Sequence, residues 1–435
     1  MYLCSKRLEA FVRGTVRQCC CSSRKTCKCK LLVVGGGTGG CNIAWRFSKK
    51  LKYRDIILLE PSDVHYYQPY FALVAAGIKN MKNSYRCTSS VIPPGIIWIQ
   101  EKAEEFDPCD NAVYTLHGTK IVYEYMVVAV GIQNNYDKIA GLKQALNDPL
   151  SPVSTIYSPD YCCKTWCNIQ KFTGGHAVFT YPASGGKCPG AILKIMFLAD
   201  DYWRRHKVRY KTSIMFNTAS DTIFGIPKYA TKLVNVAANR NVVTNYKADL
   251  IEVNATGAVF KRHGEELVTC PYNMLHVTPP MSPPESLCKC APLVNAEGYL
   301  DVNKHTLQHN NFYNIFGLGD CTSTPNSKTA AATGPQSYVL ERNLSDVMNG
   351  KDLKAQYNGY GACPLLTSYK KGILAEFIYD KELFSTFPID QSKERRMFYR
   401  MNVHLFPFLY WRYLIKGAYN GPSGIRKYLN PRGKN

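Results

Sequence analysis

Several features that would place the chain in a familiar class are missing from its 435 residues. No apolar run approaches the roughly 18 residues that a membrane-spanning helix needs. The 18 cysteines lack the spacing of a small secreted disulfide framework, and nothing downstream of Cys27 and Cys29 completes a zinc site. We therefore expect neither a transmembrane helix, nor a disulfide-rich secreted fold, nor a metal site.

Acidic residues are also scarce, since 32 Asp and Glu stand against 54 Lys and Arg and give a formal net charge of +22. Such a charge favours acidic partners, which include anionic lipid, nucleic acid and anionic substrates. No nucleic-acid-binding motif accompanies the charge, so we expect no nucleic-acid partner. The alternative is that the positive charge only reflects ordinary solvated surface, because much of the excess of Lys and Arg is spread along the chain.

The first thirty residues contain a single acid, Glu9, among many Lys, Arg and Ser residues. Leu8, Phe11 and Val12 can share one face of a helix. An amphipathic, Arg-rich and acid-poor beginning is typical of a mitochondrial transit peptide. We therefore predict a transit peptide over residues 1–29, with a disordered basic tail as the alternative.

The most informative stretch comes next. An apolar run at 31–34 precedes glycines in the pattern G-x-G-x-x-G, and a second run at 56–59 ends at Glu60. Strand, glycine loop, helix and terminal acid in this order are the fingerprint of a dinucleotide-binding fold. The glycines admit the pyrophosphate, the helix start offers it free N–H groups, and the acid accepts hydrogen bonds from the ribose. These glycines are Gly35, Gly37 and Gly40.

Two later segments decide between FAD and a nicotinamide dinucleotide. Ile315 and Phe316 precede G-L-G-D, which ends at Asp320 and resembles the second FAD motif of flavoprotein disulfide reductases. The run at 126–130 ends at Gly131 and resembles the segment where those proteins cross back toward the FAD fold. In those proteins the Asp binds the ribitol chain and the next helix points its N-terminus at the flavin. We therefore predict FAD.

The middle of the chain lacks a second glycine fingerprint. A strand is predicted at 176–181, but it leads into P-A-S-G-G-K-C-P-G, with Cys188 where a nicotinamide loop would stand. A further strand at 212–218 also ends without glycines. We therefore expect a second nucleotide-type domain without its nucleotide, and a cysteine opposite the flavin. The Pro-rich segment 276–287 should be extended, either lining a cleft near the flavin or forming a rigid crossover.

The C-terminal part is dense in aromatic and basic side chains. We predict a strand in the region 371–380, then two helices, 395–403 and 405–419, broken around Pro407. Aromatic residues mixed with Arg and Lys suit the headgroup boundary of a bilayer. We therefore expect residues 391–435 to attach to one membrane leaflet, reinforced by basic charge. A helical pair packed on the core is the alternative.

Together these motifs carry a family resemblance. From about residue 30 to its end the chain resembles the animal type of mitochondrial sulfide:quinone oxidoreductase, through segments such as HYYQPYFALV, LHVTPPMSPPE, SKTAAA, YGACPLLTSY and FPIDQSKER. The resemblance implies an α/β fold with two Rossmann-like, FAD/NAD(P)-binding domains and a C-terminal helical membrane-attaching region. Residues 30–145 and 291–390 would form the FAD-binding domain, residues 146–290 the second domain, and residues 391–435 the attaching region.

The resemblance also implies the chemistry. The family oxidises hydrogen sulfide with a cysteine pair and FAD, at the surface of the mitochondrial inner membrane. Electrons pass to ubiquinone, and sulfane sulfur passes to an acceptor such as glutathione or sulfite. The cysteines match Cys188 and Cys363: hydrosulfide attacks their bridge, Cys363 takes the persulfide and Cys188 leaves as the thiolate. The FAD contacts that the resemblance implies are Thr38, Gly39, Glu60, Gln68, Ala103, Asp320, Lys328, Thr329, Ala330 and Ala331.

Two prolines depart from the family pattern. Pro189 stiffens the chain beside Cys188, and Pro335 falls in the helix expected to start at 328–331. A proline inside a helix should cost about 3 kcal/mol or cause a kink. These departures keep a divergent flavoprotein without catalysis as one alternative. The other is an NADH:quinone dehydrogenase-like flavoenzyme, which the missing mid-chain fingerprint disfavours.

Overall fold

The computed structural model describes residues 25–262 and 265–430, so most of the predicted transit peptide, 1–29, lies outside the described residues. The first strand begins at Thr26, before the expected domain start at residue 30, because residues 26–29 pair with a neighbouring strand at 120–123. No helix in the described ranges has both the length and the apolar character that crossing a membrane requires.

The helices and strands are numbered in chain order. The strands are β1 (Thr26–Val34), β2 (Ile56–Leu59), β3 (Val64–Tyr66), β4 (Tyr85–Cys87), β5 (Ile97–Ile99), β6 (Ala103–Asp107), β7 (Ala112–Thr115), β8 (Lys120–Val128), β9 (Gln133–Asn134), β10 (Val153–Ser154), β11 (Gly175–Tyr181), β12 (Thr212–Thr218), β13 (Val242–Asn245), β14 (Asp249–Val253), β15 (Ala258–Lys261), β16 (Leu267–Cys270), β17 (Met274–His276), β18 (Met281–Ser282), β19 (Ile315–Gly317), β20 (Gly361–Leu366) and β21 (Gly372–Phe377). The helices are α1 (Thr38–Phe47), α2 (Phe71–Val74), α3 (Leu142–Asn147), α4 (Cys162–Lys171), α5 (Gly190–Arg205), α6 (Pro227–Ala238), α7 (Glu285–Cys288), α8 (Thr333–Met348), α9 (Arg396–Arg400), α10 (Phe406–Leu409) and α11 (Ser423–Leu429).

The first sheet has the order β5-β2-β1-β8-β7-β6, and β19 also pairs with β8. β5, β2, β1, β8 and β19 run parallel. The predicted strands at 31–34 and 56–59 are confirmed, and all eight of those residues are buried, as a parallel sheet covered on both faces requires. The carboxyl ends of the parallel strands meet at one edge of the sheet, where open α/β sheets bind their ligands.

The second sheet has the order β10-β17-β11-β12-β13 and is parallel at each pairing. The predicted strand at 212–218 is confirmed, and the strand predicted at 176–181 begins one residue earlier. β11 leads through residues 182–189 into the long helix α5. The second sheet therefore presents a cysteine-containing loop at the carboxyl end of its central strand.

Three of the structural expectations based on prolines are corrected by the structure. In the segment 276–287 the chain is extended up to Pro284, but α7 starts directly after it, because a helix can begin behind a proline. The helix expected at 328–331 begins only at Thr333, as α8. Pro335 therefore lies in its first turn, where backbone N–H groups have no partner within the helix, and neither a 3 kcal/mol cost nor a kink follows.

The third correction concerns the C-terminal part. The strand predicted in the region 371–380 is confirmed as β21, which pairs with β20. The predicted break at Pro407 is wrong: residues 396–414 form one continuous helix, hereafter the C-terminal helix, in which π turns follow α9 and α10. The Phe406 N–H bonds five residues back, to Met401. The widened turn relieves the clash that a proline ring makes in an α-helix.

Candidate functional site

The glycine loop after β1 is held by close backbone contacts. Gly35 has φ +98°, and a Cβ there would lie 2.5 Å from the Ala129 carbonyl oxygen. A Cβ on Gly40 would lie 1.7 Å from the Gly35 oxygen, so α1 can pack this closely only with glycine. The Gly36 N–H donates to Glu60 Oε2 at 2.6 Å. Burial raises the pKa of Glu60, which the hydrogen bonds partly offset.

Several features of this edge fit a bound dinucleotide. Gly37, Gly131 and Gly319 come from three separate segments, and a Cβ on any of them would meet nothing within 4 Å. The N-terminus of α1 faces the same loop and offers its unpaired N–H groups to a phosphate. The Thr329 hydroxyl is buried without a hydrogen-bond partner. Burial raises the pKa of Asp320, while the Lys187 and Lys328 ammonium groups lower it.

The two predicted cysteines meet although they are 175 residues apart: their Sγ atoms lie 3.6 Å from one another. Cys188 stands directly before α5, and Cys363 lies fully buried on β20. A Cβ on Gly190, the first residue of α5, would lie 2.3 Å from the Cys363 sulfur. Glycine at this position therefore allows β20 to approach the helix start.

The two thiols of the pair differ in pKa. The Cys363 thiol donates a hydrogen bond that, with the Lys194 ammonium, outweighs burial and lowers the pKa of Cys188 to about 6. The same hydrogen bond, together with burial, raises the pKa of Cys363 well above the ordinary thiol value. A reduced pair at neutral pH therefore holds a thiolate on Cys188 and a thiol on Cys363. A thiolate beside a helix N-terminus is the expected form of a reactive cysteine.

The cysteine loop is tied to the segment that carries Asp320. The Cys188 N–H donates to the Lys328 carbonyl oxygen at 2.8 Å. The Lys328 ammonium donates to the carbonyl oxygens of Thr322 and Thr324, at 2.5 and 3.1 Å. The reactive sulfur and the edge of the first sheet thus belong to one connected site.

The remaining predicted contacts lie in different kinds of local structure. Gln68 is exposed, while Ala103 is buried at the start of β6. Ala330 and Ala331 lie in a turn before α8 rather than at a helix start.

Three residues near the cysteines were missed. Lys194 is only 3% exposed on α5, and the hydroxyl groups of Tyr157 and Thr278 are buried next to one another. Tyr157 is electrostatically coupled to Cys188 and Cys363. Buried hydroxyl groups beside reactive sulfur suit an anionic ligand, because each hydroxyl group can donate a hydrogen bond. Lys194 and Tyr157 belong to no motif, and Thr278 lies in the segment LHVTPPMSPPE without an assigned role. Only the fold brings the three residues to the sulfur.

Comparison with known proteins finds relatives similar in sequence and a solved structure similar in fold. No family model matches the chain. The mitochondrial sulfide:quinone oxidoreductase of Mus musculus is 42% identical over 99% of this chain and 96% of its own length. The protein of that name from Schizosaccharomyces pombe is 39% identical over 91% and 92%. The solved sulfide:quinone oxidoreductase of Aquifex aeolicus has a TM-score of 0.79 at 19% identity, covering 94% of this chain and 96% of that one.

Proposed function

Because the chain belongs to the family of mitochondrial sulfide:quinone oxidoreductases, we propose that it oxidises hydrogen sulfide at Cys188 and Cys363. Its substrates are sulfide and a quinone, as the relatives' names indicate, and its cofactor is FAD. The observation that carries the choice of these cysteines is the 3.6 Å between their sulfur atoms. The thiolate character of Cys188 supports it further.

The first step is attack of hydrosulfide on the oxidised pair. A new S–S bond forms between the hydrosulfide sulfur and Cys363, and the bond between Cys363 and Cys188 breaks. Cys363 carries the persulfide, and Cys188 leaves with the electron pair as a thiolate. The low pKa of Cys188 makes it the better leaving group of the two. The Lys194 ammonium, near both sulfurs, stabilises the negative charge.

The second step returns the pair to its oxidised form. A nucleophilic acceptor, for which we propose glutathione or sulfite, removes the outer sulfur and leaves a thiol on Cys363. The bridge then forms again as two electrons leave through Cys188. Bound FAD would supply the acceptor for these electrons, and we propose ubiquinone as the quinone that finally receives them.

The residues proposed to bind the pyrophosphate, the ribose and the ribitol chain lie at the carboxyl ends of parallel strands. Gly35, Gly37, Thr38, Gly39 and Gly40 would bind the pyrophosphate, with free N–H groups of α1 directed at it. Glu60 would bind the ribose and Asp320 the ribitol chain. The open space beside Gly37, Gly131 and Gly319 supports this arrangement. Gln68, Ala103, Lys328, Thr329, Ala330 and Ala331 complete the proposed contacts.

The relatives indicate a mitochondrial protein, and we propose the inner membrane, with attachment from one side. One side of the C-terminal helix packs on the core through Tyr410, Trp411 and Leu414. The other side exposes the apolar face, which we define as Leu405, Phe408 and Tyr413. An apolar face on a chain of charge +22 suits the surface of an anionic bilayer.

We propose the domain limits given by the sequence, with 30–145 and 291–390 as one FAD-binding domain. The pairing of β19 with β8 supports this choice, because it joins the two parts of the chain in one sheet. The separate sheet built by β10 to β13 and β17 supports a second domain at 146–290.

Anaerobic stopped-flow of the purified flavoprotein tests the proposed function. We expect sulfide to bleach the flavin absorbance and quinone to restore it. Cys188→Ser and Cys363→Ser should each slow bleaching at least 100-fold, because each removes one sulfur of the pair. Cys321→Ser, at a buried thiol outside the pair, is the matched control and should bleach as the unchanged protein does. Bleaching by NADH and not by sulfide would contradict the proposal, as would full bleaching in both cysteine variants.

A further inference from the structure

A series of hydrogen bonds joins the C-terminal helix to the glycine loop. The Tyr410 hydroxyl lies 2.6 Å from His65 Nε2 and 3.0 Å from Thr38 Oγ1. On its other side, His65 Nδ1 lies 3.1 Å from the carbonyl oxygen of Gly36. Gly36 and Thr38 flank Gly37, the glycine with open space beside it. The series therefore holds the loop on both sides of the residue that faces the proposed pyrophosphate.

The hydrogen bond to the Gly36 carbonyl oxygen assigns a direction to the other hydrogen bonds of the series. Burial lowers the pKa of His65 to about 4, so the imidazole is neutral and has one donor and one acceptor nitrogen. The Gly36 carbonyl oxygen can only accept, so Nδ1–H donates to it. Nε2 must then accept from the Tyr410 O–H, and the Tyr410 oxygen accepts from the Thr38 hydroxyl. Tyr410 thus sets the orientation of the Thr38 side chain.

The last residue of this helix and the chain beyond it extend the contact along α1. Asn42 Nδ2 donates to the Leu414 carbonyl oxygen at 2.5 Å, and Arg46 donates to Asn420 Oδ1 at 2.7 Å. A Cβ on Gly417 would lie 2.8 Å from Arg46 Cγ. The C-terminal part therefore packs against the same helix whose N-terminus carries the loop.

We propose that Tyr410 is a positioning residue for FAD, and that the C-terminal helix is a structural part of the cofactor site. This inference rests on the proposed function, which puts the pyrophosphate at Gly37 and Thr38. Tyr410 need not touch FAD, since it acts by holding the loop in its binding conformation. A preorganised loop binds more tightly because less freedom is lost on binding.

Release of FAD from the diluted holoenzyme, measured as recovered flavin fluorescence, tests the inference. Tyr410→Phe removes the hydroxyl but keeps the ring packed on Tyr67, whose centroid is 4.3 Å away. The change removes two hydrogen bonds, to His65 and Thr38. Because both act on FAD only through the loop, we expect the dissociation constant for FAD to rise about three- to tenfold. Tyr399→Phe, on the same helix but close to Arg205, should change it less than twofold.

His65→Gln gives a second reading of the same series. His65→Gln should also raise the dissociation constant for FAD. In the double variant with Tyr410→Phe this constant should be no higher than in the more affected single variant, because both residues act through one network. An unaltered dissociation constant in Tyr410→Phe overturns the inference, even if the melting temperature falls. Failure of the cysteine variants to affect bleaching would overturn the proposed function and leave this result standing.

Discussion

Cys188 has a backbone conformation that residues with a side chain rarely adopt, with φ at 51°. Such a conformation costs on the order of 1 kcal/mol. Two contacts maintain it: the hydrogen bond from its N–H to Lys328, and the short turn in which the Ala191 N–H bonds to the Cys188 carbonyl oxygen at 2.7 Å. Pro189, seen in the sequence as a departure, takes the N-cap position of α5 with a helical conformation. It therefore fits the turn and does not disturb the sulfur.

The protonation of Cys188 gives a prediction in pH. Because its pKa is lowered to about 6, the thiolate fraction should rise as pH increases through about 6, well below the ordinary thiol value. Alkylation of the reduced protein by iodoacetamide, followed at this residue by mass spectrometry, should show that midpoint. Cys363→Ala removes the largest cause of the lowered pKa, so the midpoint should move to higher pH. A midpoint near 9 in the unchanged protein would contradict the assignment.

Gly190 gives a prediction for the distance between the sulfurs. In Gly190→Ala the new methyl group would stand 2.3 Å from the Cys363 sulfur and 2.4 Å from Leu365 Cδ2. Both atoms are in the core, so β20 must shift, at about 1–3 kcal/mol. We expect bleaching by sulfide to slow at least tenfold, with FAD content kept. Gly225→Ala is the control, because a Cβ there meets nothing within 4 Å; equal slowing in both variants would refute the argument.

At the scale of elements, the sequence predicts buried parallel strands best. β2 and β12 agree with their predicted limits to the residue. β2 is a continuous apolar run and β12 has an apolar centre at 214–216, and each is short enough to favour a buried strand over a helix. The helix limits near prolines were wrong at Pro335 and Pro407. Local propensity does not say whether a proline falls in a first turn or behind a widened turn, since tertiary packing of the surrounding helix decides that.

The residues of the site also divide into those that the sequence predicts and those that it does not. The glycine loop, Glu60 and Asp320 follow directly from motifs beside strand ends. The position of Cys188 follows from the missing glycine fingerprint after β11. Cys363 comes from another strand 175 residues away, and no spacing could give it without the family resemblance. Lys194, Tyr157 and Tyr410 are single residues within ordinary helices and loops, so only the folded chain brings them to the site.

At the scale of the whole molecule, the C-terminal helix contributes both to the proposed cofactor site and to the proposed membrane contact. Its packed side reaches the glycine loop through Tyr410, while its apolar face, Leu405, Phe408 and Tyr413, is 40–55% exposed. Removing everything after Gln391 would therefore disturb the proposed cofactor site together with the proposed membrane contact. A test of membrane attachment needs changes confined to the apolar face.

The double variant Leu405→Glu and Phe408→Glu is such a change. Burying a Phe or Leu side chain in a bilayer contributes about 1.5–3 kcal/mol, and the new carboxylates are repelled by anionic lipid. We expect co-sedimentation with vesicles of phosphatidylglycerol and phosphatidylcholine to weaken at least tenfold, with FAD content unchanged. Leu150→Glu is the matched control, because Leu150 is 87% exposed and lies outside the C-terminal part. Electrostatic attraction also predicts weaker binding to phosphatidylcholine alone and in high salt. If the double variant sediments as the unchanged protein does, the apolar face is not the contact, and the basic surface alone would have to account for any binding.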